Sequence, residues 1–209
     1  MRDDEALRAR LGAVRTEPMV QPLNDWVEKL RDRLGDAEAV PWFDPASGGV
    51  QARSLFLLEA PGQKSMGAEA ELRRTGSGII SIDNDDPTAQ NCWTLRAEAG
   101  LPYRVSVHWN IVPWYLGTAD RIAAPGRTEI QRAAPFLHEV ITMLPALEVV
   151  VPMGRKAQAG WAAYQERYAP KVHTLPTWHP SPRVFASRPA ARQEILEVLQ
   201  QTARLLGTA

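Results

Sequence analysis

Ser54-Leu55-Phe56-Leu57-Leu58-Glu59-Ala60-Pro61-Gly62-Gln63 decides how the rest of the chain is read. From Leu55 to Leu58 the run is apolar without a break, the pattern of a strand buried on both faces in a parallel sheet rather than one with a wet side. The turn that follows combines small residues, which let backbone amides approach a ligand, with a proline that stiffens it. Such strand-end turns are common, so this segment alone identifies a strand and no function.

Working outward, the same unit recurs. Arg104 to Asn110 alternates as a strand, Leu147 to Val151 is a short buried strand, and Lys171 to Leu175 is a fourth. Asp86-Pro87 supplies a carboxylate cap and a proline for a helix that Gly100 ends. Thr128 to Leu144, Gly154 to Tyr168 and Pro189 to Leu206 carry helical spacing. The alternation predicts a three-layer α/β domain with a four-stranded, mostly parallel sheet, helices on both faces and right-handed crossovers. In such sheets ligands bind beyond the carboxyl ends of the strands. Upstream, Asp4 to Val14 and Leu23 to Leu34 read as amphipathic helices, the second framed by Pro22 and Gly35, followed by a Pro/Gly-rich link from Pro41 to Gly49. The expectation is one domain over residues 1–209, with 1–50 as an N-terminal helical extension.

Composition narrows the class. With 209 residues and 44% hydrophobic content, the chain can bury one good-sized core. No apolar run approaches the ~18 residues of a membrane span, and a soluble, cytoplasmic monomer is expected. Cys92 is the single cysteine, so no disulfide framework and no cysteine-ligated zinc or iron–sulfur centre can form within the chain. No metal or organic cofactor is implied. The formal net charge of zero speaks against coating nucleic acid by electrostatics alone. From Val151 onward, however, eight Lys/Arg stand against three acids, leaving +5 there and −5 in the first 150 residues. A basic C-terminal third suits a phosphate backbone, and it equally suits a solvated helical face.

Two further segments fall just beyond strands. Asn110, between Trp109 and Pro113, offers a donor and an acceptor to one planar partner, which is what reading a nucleobase edge requires; a strand-capping asparagine satisfying its own backbone is the alternative. In Trp178-His179-Pro180-Ser181-Pro182-Arg183-Val184, prolines fix a histidine whose neutral imidazole can donate to a developing anion, unless a carbonyl simply satisfies it. His108, His138 and His173 lack such settings and read as structural. Asp83-Asn84-Asp85-Asp86 lacks the glycine and distal glutamate of a calcium loop, leaving solvated turn, helix cap or catalytic carboxylate.

Taken together, Glu59-Ala60-Pro61-Gly62, Asn110 with Pro113, and His179-Pro180-Ser181-Pro182-Arg183 resemble the three signature segments of the uracil-DNA glycosylase superfamily, in order and spacing, across roughly residues 53 to 204. Glu-Ala-Pro-Gly is most similar to the first motif of the thermostable iron–sulfur branch, and without the cluster cysteines this chain resembles a cluster-free relative. Leu58 stands where the family usually has glycine, and Ala60 where its best-known branch carries the water-activating aspartate. No aromatic lies between Gln63 and Trp93, where the family stacks a phenylalanine on the base. Gly78-Ile79-Ile80-Ser81-Ile82-Asp83 resembles the stretch where one branch has that aromatic followed by an aspartate, which makes Ile80 the stacking surface and Asp83 the base.

The resemblance implies hydrolysis of the N-glycosidic bond of uracil, or a related deaminated base, flipped out of DNA. It assigns catalysis to His179, Asp83 and, as second choice, Glu59. Base binding falls to Gly62, Gln63, Ile80 and Asn110, and DNA contact to Ser181, Arg183, Val184 and Phe185. The last three suit a wedge entering the base stack, although Phe185 can instead anchor its loop to the closing helix. Two rivals remain: a lesion- or nucleotide-binding module that has lost catalysis, and a hydrolase of small nucleosides.

Overall fold

The computed structural model describes residues 3–36, 40–67, 76–117 and 123–208. The N-terminal pair is α1 (Asp4–Ala13) and α2 (Gln21–Leu34). Asp3 caps α1 by accepting from the Glu5 and Ala6 amides, and Gly35 ends α2 in the left-handed region at φ 70°. β1 (Trp42–Phe43), β2 (Ser54–Leu58), β3 (Ile79–Ile80), α3 (Pro87–Glu98), β4 (Ser106–Asn110) and α4 (Arg127–Thr142) follow. The chain continues through β5 (Val149–Pro152), α5 (Arg155–Tyr168), β6 (His173–Thr174), α6 (Pro182–Ser187) and α7 (Ala191–Leu205).

The four-stranded sheet has the order β4-β2-β5-β6, every pair parallel. Side-chain alternation explains its two-sided burial. Leu55 and Leu57 of β2, Val107 and Trp109 of β4 and Val150 of β5 face one core with residues of α2, α4 and α5. Phe56 of β2 and Val149 and Val151 of β5 face the other with residues of α3 and α7. These are the three layers that continuous apolar runs demand.

Several expectations are corrected in detail. The fourth strand is only His173–Thr174, because parallel pairing with β5 reaches no further than Val150, with one more bridge at Met153 and Thr177. The chain from Tyr103 to Val105 is a 3-10 turn, so β4 begins at Ser106. A second parallel pair, β1 with β3, joins the presumed link at Trp42 and Phe43 to Ile79 and Ile80. Two-residue strands are too short to show periodicity, and side chains fix this pair alongside the backbone bond from the Trp42 amide to the Gly78 carbonyl at 2.8 Å. Asn24, 1% exposed, accepts from the Phe43 amide at 2.8 Å and donates to the carbonyls of Val14 at 2.9 Å and Phe43 at 3.3 Å. Phe43 also stacks on Trp109 with centroids 3.8 Å apart. Residues of α2 therefore belong to the main core. No helix among the described residues is long and apolar enough to cross a membrane.

Candidate active site

The exits of the parallel strands are laced together by backbone bonds. Ile111 and Val112 amides donate to Leu58 and Glu59 carbonyls at 2.9 and 3.0 Å, the Met153 amide to Leu57 at 2.8 Å, and the Gly154 amide to Thr177 at 2.8 Å. Three turns distant in sequence thus share one rim. At that rim lies a cavity of about 460 Å³, whose wall includes Glu59, Gly62, Ile80, Asn110, His179, Ser181 and Arg183. That volume is in the range of small-molecule sites, ~300–1,000 Å³.

Asn110 ends β4 and is 4% exposed, with its Nδ2 buried and unpaired. A buried amide donor without a partner costs roughly 1–3 kcal/mol, and this one, on the cavity wall, is open to a partner there. His179 is positioned from both flanks. Trp178 Nε1 donates to Glu194 of α7 at 2.5 Å, and Asn91 of α3 donates to the Pro180 carbonyl at 2.8 Å. Burial moves the imidazole below its ordinary pKa, against the pull of the Glu59 and Asp86 carboxylates. It is consequently neutral at pH 7. Gly154, at φ 92°, lies beneath: a Cβ there would sit 3.0 Å from His179 Cβ and 3.7 Å from Glu59 Oε1. Glu59 and His179 therefore flank a single backbone position.

The remaining candidates divide. Asp83 is not on the cavity wall; its carboxylate lies 3.3 Å from Arg10 of α1. Gln63 is likewise absent from the wall, although Gly62 and Lys64 on either side of it line the cavity. Arg183, Val184 and Phe185 occupy α6 rather than a loop, capped by Ser181. Phe185, partly buried, packs against the second core, the anchoring arrangement. Arg183 alone of the three borders the cavity.

The wall also carries polar residues with no definite role at the site legible in the sequence, among them Asp86, Asn84 and His108. Asp86 caps α3 by accepting from Thr88 and Ala89 at 2.8 and 3.0 Å and also faces the cavity. Asn84, 7% exposed, donates to the Ile79 carbonyl at 2.9 Å, which fixes its amide and leaves Oδ1 buried and unpaired. His108, 6% exposed, lines the floor. Of the readings open for the acidic cluster, the helix cap is the one that Asp86 fills. No Phe, Tyr or Trp lines the cavity among the described residues. Cys92, also on the wall, has its thiol pushed up to about 12 by burial and is no nucleophile at neutral pH.

Fold and site together define an α/β protein with a pocket of about 460 Å³ at the carboxyl rim of a parallel sheet. The sequence profile of the uracil DNA glycosylase superfamily matches residues 45–200, and the chain belongs to that family. Membership carries a general function, that of a glycosylase-type hydrolase acting on DNA. One similar solved structure is the crystal structure of wild-type SMUG2 from Pedobacter heparinus, 13% identical, with a TM-score of 0.51 over 76% of this chain and 77% of that one. At that identity the likeness establishes the fold. No curated protein matches the chain.

Proposed function

We propose that this chain hydrolyses the N-glycosidic bond of uracil, or of a related deaminated base, extruded from DNA. The observation that carries the reading is the meeting of Glu59, Asn110 and His179, far apart in the chain, on one cavity. Flipping a nucleotide costs a few kcal/mol, which stacking and edge hydrogen bonds in the pocket offset. Asn110 reads the uracil edge and rejects cytosine, whose exocyclic amine presents a donor where uracil has an acceptor. The base departs as an anion toward the neutral imidazole of His179, and water completes the sugar cation. Because Asp83 is engaged with Arg10 and lies off the wall, the water falls to Glu59, with Asp86 close by. Ile80, 7% exposed, supplies an apolar surface in place of an aromatic ring. Ser181 and Arg183 stand at the same site to meet the DNA backbone.

The test is excision of uracil from single- and double-stranded oligonucleotides. Release of uracil, abolished in Asn110→Ala, is the expected result. Tight DNA binding without an abasic product would instead indicate a binding module, and turnover of free nucleosides alone a nucleoside hydrolase. Gly154→Ala sharpens the geometry. Its Cβ would crowd His179 at a left-handed backbone position, and small misplacements of reacting groups are costly. Turnover is expected to fall on the order of tenfold to a hundredfold, with the far-UV spectrum unchanged.

A further inference from the structure

We propose that His108 is a specificity-determining residue, held by Arg96 through one water so that its Nε2–H points into the main cavity and donates to a carbonyl oxygen of the bound base. The inference rests on the reading that the guest is a deaminated base. His108 precedes Asn110 by two residues on β4, so both side chains project from the same face of the strand. Its ring stacks on Phe56 with centroids 4.8 Å apart and planes 12° apart, which fixes its orientation.

The imidazole borders two spaces: the main cavity, and a void of about 10 Å³ also lined by Cys92, Arg96 and Met153. That volume suits one water molecule. Two buried atoms without partners belong to residues on this void, Arg96 Nε and His108 Nδ1. The guanidinium is held by the Leu101 carbonyl at 2.7 Å and lies over Trp93 at 4.8 Å, so it is not free to swing away. A guanidinium only donates. A bridging water that accepts from Arg96 has two protons to place, and Nδ1 is the unpaired buried nitrogen on this void that can accept one. The proton of the neutral ring is then on Nε2, and the main cavity is the space left for it.

Burial first, and the Arg96 charge second, push the His108 pKa down to about 3. The ring therefore stays neutral across physiological pH, a fixed dipole and not a switch. Such a donor accepts a carbonyl and penalises an exocyclic amine, which would leave two donors facing each other in a dry site. Together with Asn110 it reads the carbonyl-bearing edge on which uracil differs from cytosine.

Long-range proton–nitrogen NMR of the histidine rings tests the tautomer without relying on turnover. The expected spectrum shows His108 as neutral Nε2–H from pH 8 to 5, shifting to a tautomer mixture in Arg96→Met. Free uracil, titrated in, is expected to move the Nε2 signal. His108→Phe, which keeps the stack on Phe56, is expected to lower kcat/KM on a uracil oligonucleotide about tenfold, the worth of one such hydrogen bond, and His108→Gln to recover part. A ring that protonates near pH 6.5, an Nδ1–H tautomer, a ring unmoved by uracil, or undiminished kcat/KM in both variants would overturn the proposal. Failure of the functional reading looks different: no uracil leaves DNA, yet free uracil still moves the Nε2 signal. Excision that is indifferent to His108 leaves that reading standing and removes this one.

Discussion

His179→Ala is expected to lower the rate constant for uracil release by ~10²–10³-fold, the usual consequence of deleting a preorganised donor at a developing anion. The effect belongs in kcat more than in KM, because the imidazole meets charge that exists only as the glycosidic bond breaks. Its electrostatics make a second readout available. The ring sits below its ordinary pKa because burial outweighs two carboxylates, Glu59 and then Asp86, that pull it upward. Removing the stronger pull in Glu59→Gln is expected to move the His179 titration, followed by NMR, further below 6.5. Glu59→Gln also tests the water-orienting role, since general-base assistance contributes on the order of 10²–10⁴-fold. Single-turnover rates for the two variants within threefold of the parent would refute the assignment of this rim as the reacting centre.

The sheet was legible because its strands β2, β4 and β5 are buried on both faces. Leu55 to Leu58 and Val149 to Val151 must be apolar throughout, and such runs are visible without neighbours. The rim was legible for a related reason: in a parallel sheet, residues that follow strands fall on one edge, which is how Glu59, Asn110 and His179 met. Whatever depends on packing across the chain was hidden. β1 and β3 are two residues each, the first held by Asn24 and Trp109 and the second by Ser77 and Asn84. Phe185 gives no sign in sequence of whether it faces DNA or core. Asp83 and Asp86 differ by three positions, yet one lies on Arg10 and the other on the cavity, a difference set by α1 and the cap of α3. His108 read as structural because its place beside Arg96 and a small void is encoded by no local pattern.

Asp44→Ala is expected to cost about 3 kcal/mol or more of folding stability, the scale for breaking a buried charged network by removing one partner. Asp44 is 1% exposed and collects four donors. Arg10 of α1 donates at 2.5 Å, the Ala46 amide at 2.9 Å, the Tyr103 hydroxyl at 2.9 Å, and the Ser81 hydroxyl closes the set. Without the carboxylate, Tyr103 and Ser81 lose their acceptor, while Arg10, partly exposed, can turn to water and limit the loss. Asp44→Asn keeps one acceptor oxygen and is expected to lose less. Urea unfolding with an unchanged m value separates lost stability from a changed unfolded state. Tyr103 supplies the pH signature. Burial first, and the Asp44 charge second, raise its hydroxyl well above the ordinary range. A raised folded pKa means that this contribution is complete below the unfolded value near 10 and is lost as pH climbs beyond it. Tyr103→Phe is expected to flatten that alkaline decline. Because Ser81 also lines the cavity, loss of Asp44 is expected to raise KM for uracil-containing DNA at temperatures where the fold persists, which ties the N-terminal helix to the site through one carboxylate. An Asp44→Ala protein as stable as the parent, with unaltered KM, would show that α1 only decorates the domain.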